Sequence, residues 1–280
     1  MLTFSQSETE LILSKVATEK TDSDLGFFSK PLRINYGGKE LIIKKYLPIR
    51  DSSIVSTIIK NHDKYISELL RIGIKVPDSI ITTLSIKRKM QINIIQEAFQ
   101  KNELLRWLIE NSLESELLNL CKRILDDAIM FWKNKKGSMD IGFHPTLRNY
   151  SFHEGNLFYF DTFPPMLMKQ AELNKIIIKM SPFGKALKII TPSRLINLVS
   201  DEYYNIDKMV TGIIGSCCRL RPGNSSAILT FSRDYISRSS YTESEKQKII
   251  MALQAPPRLS GIWTFIRLLS GNVGKPNVKA

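Results

Sequence analysis

The chain has 280 residues, 43% of them hydrophobic, and its 40 Lys and Arg against 27 Asp and Glu leave a formal net charge of +13. That is enough apolar material for two packed lobes, which excludes general disorder, and no apolar run is long enough to span a bilayer. Three cysteines with Cys217 and Cys218 adjacent, three scattered histidines and no basic-then-apolar leader predict a reduced, cytoplasmic protein without disulfides or a Cys-based metal site.

In chain order, residues 8–17 read as a short amphipathic helix, and polar residues 21–24 break it. Residues 25–46 read as strands, with Gly37-Gly38 as a hairpin turn and Leu41-Ile42-Ile43 as a central strand. The spacing of Ile54, Ile58, Ile59, Ile66, Leu69 and Leu70 predicts a helix over 52–72. Two more strands follow at 80–84 and 92–95, around the basic turn Lys87-Arg88-Lys89. After Phe99 the pattern becomes helical at 102–109 and 113–132, then loop and short strand over 142–165. It is helical again at 192–198, 201–220, 242–253 and 261–269, and ends in a loose tail, 271–280. This order predicts an α+β protein: a β-rich N-terminal lobe over 1–98 and a larger helical lobe over 99–280, with a hinge at 96–99 between them. A ligand cleft is expected between the lobes.

The segment from Gly142 to Pro165, "GFHPTLRNYSFHEGNLFYFDTFPP", carries the candidate chemistry. Residues 151–152 and 157–160 can pair as a short hairpin about the turn at 153–156, which brings Asn149 and Asp161 to the same end. An amide oxygen and a carboxylate placed together suit Mg²⁺, which prefers hard oxygen donors and takes one or two of them from protein. Phosphoryl transfer from ATP needs such ligands, a cation on the phosphates and a group that orients the acceptor.

The Asn149-hairpin-Asp161 segment, with the apolar "LFYF" before the Asp, resembles the aminoglycoside-phosphotransferase-like branch of the protein-kinase-like superfamily. The likeness covers residues 25–165, about half the chain. It implies a two-lobed kinase-like fold and an ATP-dependent phosphotransferase acting on a small-molecule hydroxyl, with Asn149 and Asp161 as Mg²⁺ ligands. "LIIK" resembles the strand that ends in a phosphate-binding lysine, implying that role for Lys44. Lys45 is its rival, because strand neighbours point to opposite faces. The resemblance further implies Glu68 as the helix carboxylate that pairs with this lysine, and the backbone of Glu97 and Ala98 as contacts for an adenine edge.

The chain departs from that pattern twice. Kinases place a catalytic Asp five positions before the Asn, and here the residue is His144. An imidazole can act as a base near neutral pH, and Asp140, four positions earlier, is the alternative. The glycine-rich phosphate loop is also missing, and Gly26, Ser29 and Lys30 are what the sequence offers instead.

The first departure motivates a second reading, a nucleotide-binding pseudokinase with a regulatory role or a kinase fold repurposed for another transfer. A third reading, a basic nucleic-acid-binding protein, rests on charge alone; the basic residues are dispersed and no nucleic-acid motif is present. Arg219 and Arg221 with Lys185 and Lys188 would suit an anionic small-molecule substrate.

Overall fold

The computed structural model describes residues 2–16, 29, 31–135, 140–180 and 200–257. The sequence readings at 21–24, 192–198, 261–269 and 271–280, and those for Gly26, Lys30, Lys185 and Lys188, lie outside the described residues.

The first element is helix α1 (Gln6–Lys15). Ser5 caps it: its hydroxyl accepts from the Glu8 N–H at 3.2 Å, while the Glu8 carboxylate accepts from the Ser5 N–H at 2.8 Å. This reciprocal pair satisfies two donors that a helix start would otherwise leave open.

Strands β1 (Pro31–Tyr36) and β2 (Lys39–Lys45) form the expected hairpin. Gly37 and Gly38 have φ of 59° and 77°, the left-handed pair that a two-residue turn between twisted strands requires. Strands β3 (Ser79–Ile86) and β4 (Lys89–Glu97) complete an antiparallel sheet of order β1-β2-β4-β3.

The sheet is covered on both faces, so β4 is buried without alternation from Ile92 to Gln96. On one face Leu32, Leu41, Ile43 and Ile95 pack with Ile12, Leu13 and Val16 from the α1 region. On the other, Ile92 and Ile94 join the main core with Ile58, Tyr65 and Leu69 of α2 (Ser52–Ile72). Helix α2 starts at Asp51, whose carboxylate accepts from the Ile54 N–H at 3.3 Å. It stops at Gly73, whose φ of 109° supplies the left-handed cap.

Helices α3 (Leu105–Asn111) and α4 (Glu114–Asn134) follow. Next comes the hairpin β5 (Tyr150–His153) and β6 (Asn156–Tyr159), then α5 (Gln170–Met180). Residues 200–204 are helical and lead to α6 (Ile206–Leu220), α7 (Ser225–Ser237) and α8 (Glu243–Ala252). The single helix expected over 201–220 is interrupted at Asn205, whose extended backbone (φ −122°, ψ 123°) starts α6 afresh.

Helices α4, α6, α7 and α8 share one core. The Trp132 indole of α4 donates to Glu245 of α8 at 2.8 Å, and the free thiol of Cys121 of α4 donates to Cys217 of α6 with the sulfurs 3.5 Å apart. The architecture is α+β, a small antiparallel-sheet lobe beside a helical lobe. Among the described residues no helix is long and apolar enough to cross a membrane.

Candidate functional site

The pleat of β2 separates the two candidate lysines. Lys45 points to the α1 face, where its ammonium donates to the Val16 carbonyl just past the helix end. Lys44 points the other way, to the hairpin: its ammonium donates to the Phe160 carbonyl at 2.7 Å and lies 5.4 Å from the centre of the Phe160 ring. Burial pulls the Lys44 pKa below its ordinary value, and the negative charge of Asp161 opposes that pull.

The β5–β6 hairpin brings Asn149 and Asp161 to one end. Tyr150 pairs with Tyr159, and just beyond them the Phe160 N–H donates to the Asn149 carbonyl at 2.9 Å. The hairpin is tied to its surroundings by the Tyr159 N–H on the Lys75 carbonyl at 2.8 Å and by the Ser151 hydroxyl on the Glu103 carbonyl at 3.0 Å.

The Asn149 side chain is oriented by its nitrogen, which donates to the His144 carbonyl at 2.9 Å and faces His144 Nδ1 at 3.4 Å. Its oxygen takes no hydrogen bond from any described residue, and the half-buried Asp161 makes neither a hydrogen bond nor an ion pair with one. Among the described residues no group of three or more His, Cys, Asp or Glu is placed to hold a metal ion, so two hard oxygens are what the hairpin offers. That number fits Mg²⁺, which completes its shell with water and substrate phosphates.

The loop before Asn149 is held by its backbone. The Gly142 N–H donates to the Met166 carbonyl at 2.8 Å and the Phe143 N–H to the Tyr203 carbonyl at 2.9 Å. A Cβ on Gly142 would come within 2.9 Å of the Tyr204 ring, so glycine is what lets that ring lie against the backbone. His144 rests on Tyr203, ring centres 4.3 Å apart, with Nε2 3.6 Å from the Glu202 carboxylate.

Asp140 stands exposed beside Tyr204, whose hydroxyl pKa is raised by burial first and by the Asp140 charge second. No hydrogen bond or ion pair joins Asp140 to His144, Asn149 or Asp161.

One expectation is corrected. Glu68 does not meet Lys44: its carboxylate takes a two-pronged contact from Arg71, at 2.6 and 2.8 Å, and Arg71 also reaches the Asn134 carbonyl at 2.9 Å. Glu68 and Arg71 are three residues apart on one helix face, and Glu68 lies about 9 Å along α2 beyond the turn that faces Lys44. That turn carries His62, fully buried, with Nε2 3.3 Å from the Thr162 hydroxyl and Nδ1 3.4 Å from Asp63.

At the hinge the expectation is narrowed, because two of the four backbone groups of Glu97 and Ala98 are already engaged. The Glu97 N–H donates to the Asp78 carbonyl and the Ala98 N–H to the Glu40 carbonyl, both at 3.1 Å, so neither N–H is available to an adenine edge. The chain at this point continues the sheet's own hydrogen bonding.

Arg219 and Arg221 are likewise engaged in the fold. Arg219 donates to the Pro257 carbonyl at 3.0 Å, and Arg221 caps α3 through the carbonyls of Ile109 and Ser112 at 3.1 and 2.7 Å.

Sequence reasoning missed His62, Thr162 and Glu202. His62 had a signal, because it falls on the buried stripe 55, 58, 62, 65, 69, 72 of α2. Glu202 had none, since only tertiary folding brings it to His144.

The arrangement defines an α+β protein in which a sheet lysine meets the β5–β6 hairpin at Phe160, the residue that bonds the Asn149 backbone and precedes Asp161. Residues 9–274 match the family described as "Family of unknown function (DUF6206)", and the chain belongs to that family. No curated protein matches the sequence.

Among solved structures, the chain is similar to the MAP kinase LmaMPK10 from Leishmania major, at 10% identity and TM-score 0.36 over 97% of this chain and 90% of that one. It is similar to the Helicobacter pylori proinflammatory kinase CtkA, at 11% identity and TM-score 0.32, over 84% and 88%. It is also similar to choline kinase LicA from Streptococcus pneumoniae, at 11% identity and TM-score 0.25, over 87% and 98%.

Proposed function

We propose that the chain is a divergent kinase-like protein that binds ATP with Mg²⁺ and transfers the terminal phosphoryl group to a hydroxyl of a small molecule. The observation that carries this reading is the Lys44 ammonium on the Phe160 carbonyl, one residue before Asp161, at the hairpin end where the Asn149 amide is anchored by its nitrogen. In this reading Lys44 leaves the Phe160 carbonyl and takes the α- and β-phosphates, a charge-assisted contact stronger than the one it gives up. Asn149 Oδ1 and the Asp161 carboxylate hold Mg²⁺, which when bound offsets charge on the phosphate oxygens. The base is not gripped through the N–H groups of Glu97 and Ala98, because the sheet consumes both.

The test is ligand-induced stabilisation together with turnover. ATP–Mg²⁺ is expected to raise the Tm and ADP to accumulate, with Asp161→Ala reducing turnover by roughly 10²-fold or more. Turnover that survives Asp161→Ala would remove the site assignment.

A second reading, nucleotide binding without phosphoryl transfer, is favoured by two observations. A histidine stands at 144 where the resemblance implies Asp, and among the described residues no helix carboxylate pairs with Lys44, Glu68 being taken by Arg71. Stabilisation by ATP–Mg²⁺ with no ADP formed, and activity gained in His144→Asp, would select that reading.

A further inference from the structure

We propose that Glu202 is the carboxylate that takes the acceptor's proton, supplied from a helical segment 58 positions after His144 rather than from the catalytic loop itself. The inference rests on the phosphotransferase reading and adds to it the residue that the loop lacks.

Nδ1 of His144 faces the Asn149 amide nitrogen, a donor, so Nδ1 is the lone-pair nitrogen and the proton sits on Nε2. Nε2 faces the Glu202 carboxylate at 3.6 Å. With one ring nitrogen accepting and the other protonated, His144 has no lone pair to offer a hydroxyl; it is placed to hold a carboxylate.

Glu202 keeps a carboxylate that solvent reaches. Its side chain is 36% exposed, and His144 is its one ion-pair partner among the described residues. The neighbouring Asp201 differs: its two oxygens are taken by Gln170 at 2.8 Å and by Lys208. The other Glu202 oxygen lies over Gly212 of α6, 3.5 Å from where a Cβ would stand.

Tyr203 is fixed to the loop by the Phe143 N–H on its carbonyl and by its ring on His144. Glu202 is tied to the candidate metal site through His144, whose Nδ1 faces the Asn149 amide at 3.4 Å while its Nε2 faces the Glu202 carboxylate at 3.6 Å. A proton acceptor one side chain away from a metal-binding residue is placed to serve an acceptor hydroxyl that attacks in line.

The acceptor oxygen bonds to the γ-phosphorus, and the bond from that phosphorus to the bridging oxygen breaks with its electron pair remaining on ADP. The hydroxyl proton passes to the Glu202 carboxylate, which His144 Nε2–H steadies.

The test uses the full chain with ATP–Mg²⁺ and water as acceptor, comparing wild type, Glu202→Gln, Glu202→Asp and Asp161→Ala for ADP release and for the Tm shift given by ATP–Mg²⁺. Glu202→Gln is expected to lower kcat by on the order of 10²-fold. Its KM for ATP and its ATP–Mg²⁺ Tm shift should stay at the wild-type values, and Glu202→Asp should recover part of kcat.

Turnover in Glu202→Gln within twofold of wild type, while Asp161→Ala is inactive, would overturn the role of Glu202 and leave the phosphotransferase reading standing. Loss of the ATP–Mg²⁺ Tm shift in Glu202→Gln would assign Glu202 to binding or folding and also overturn the inference. A wild type that neither binds ATP–Mg²⁺ nor releases ADP would overturn both.

Discussion

His62 is the polar residue on the buried stripe of α2, and its surroundings set its charge. Burial pushes the imidazole below its ordinary pKa; Asp63 opposes the shift and the nearby Lys44 adds to it. The fold therefore prefers neutral His62, while the unfolded chain titrates near 6.5. A depressed folded pKa gives stability that is fully present above about pH 6.5 and is lost as pH falls from there toward the folded value. Thermal melts from pH 7.5 down to 5 should show the wild type losing more Tm than His62→Gln, whose side chain takes no proton. Parallel profiles for the two proteins would mean that His62 is not a buried neutral group. The same residue bears on the site, because its contact with Thr162 is one step along the chain from Asp161.

At the scale of elements, three hairpins use the same left-handed pair of turn residues, but only Gly37-Gly38 builds both from glycine. Lys87 and Arg88, between β3 and β4, have φ of 44° and 63°, and Glu154 before Gly155 has 47°. A left-handed conformation costs a residue with a Cβ about 1–2 kcal/mol, so the β3–β4 turn is held by its eight-pair register from Ser79↔Gln96 to Ile86↔Lys89 rather than by its own preference. Replacing Lys87 and Arg88 with Asn and Gly should raise stability by about 1 kcal/mol, read as a higher urea midpoint at unchanged slope. The β5–β6 hairpin is half as long, and its Gly155 together with the ties to Lys75 and Glu103 compensates for fewer pairs. That short hairpin sets the spacing between Asn149 and Asp161.

For the whole molecule, α1 and α2 play unequal parts. Helix α2 carries His62 and Glu68 and borders the candidate site, whereas α1 covers the opposite face of the sheet, behind Leu41, Ile43 and Ile95. Ile12 is fully buried there. Ile12→Ala should cost about 3 kcal/mol of global stability from lost burial and the cavity left behind, while leaving KM for ATP unchanged, since Lys44 and Asp161 lie across the sheet. A large change in KM with little loss of stability would show that the two faces are coupled.

Local pattern alone determined much of the architecture. The helical spacing over 52–72, the Gly37-Gly38 turn and the alternation that puts Lys44 and Lys45 on opposite faces all depend on neighbours a few residues apart, and each is found in the fold. The Asn149-hairpin-Asp161 segment was legible for the same reason, as a short hairpin fixes its ends by its own length. What failed depended on distant partners. Glu68 had the right type and nearly the right place, but the phase and length of α2 gave the turn facing Lys44 to His62 and gave Glu68 to Arg71. The N–H groups of Glu97 and Ala98 looked free in sequence and are consumed by Asp78 and Glu40, because a strand's hydrogen bonds are decided by which strands lie beside it. The break at Asn205 and the arrival of Glu202 at His144 come from packing over 58 positions, and no periodicity reaches that far. Sequence determined which segments form and which way their side chains alternate; tertiary structure decided which charges meet, because that depends on the relative placement of elements that only the packed core fixes.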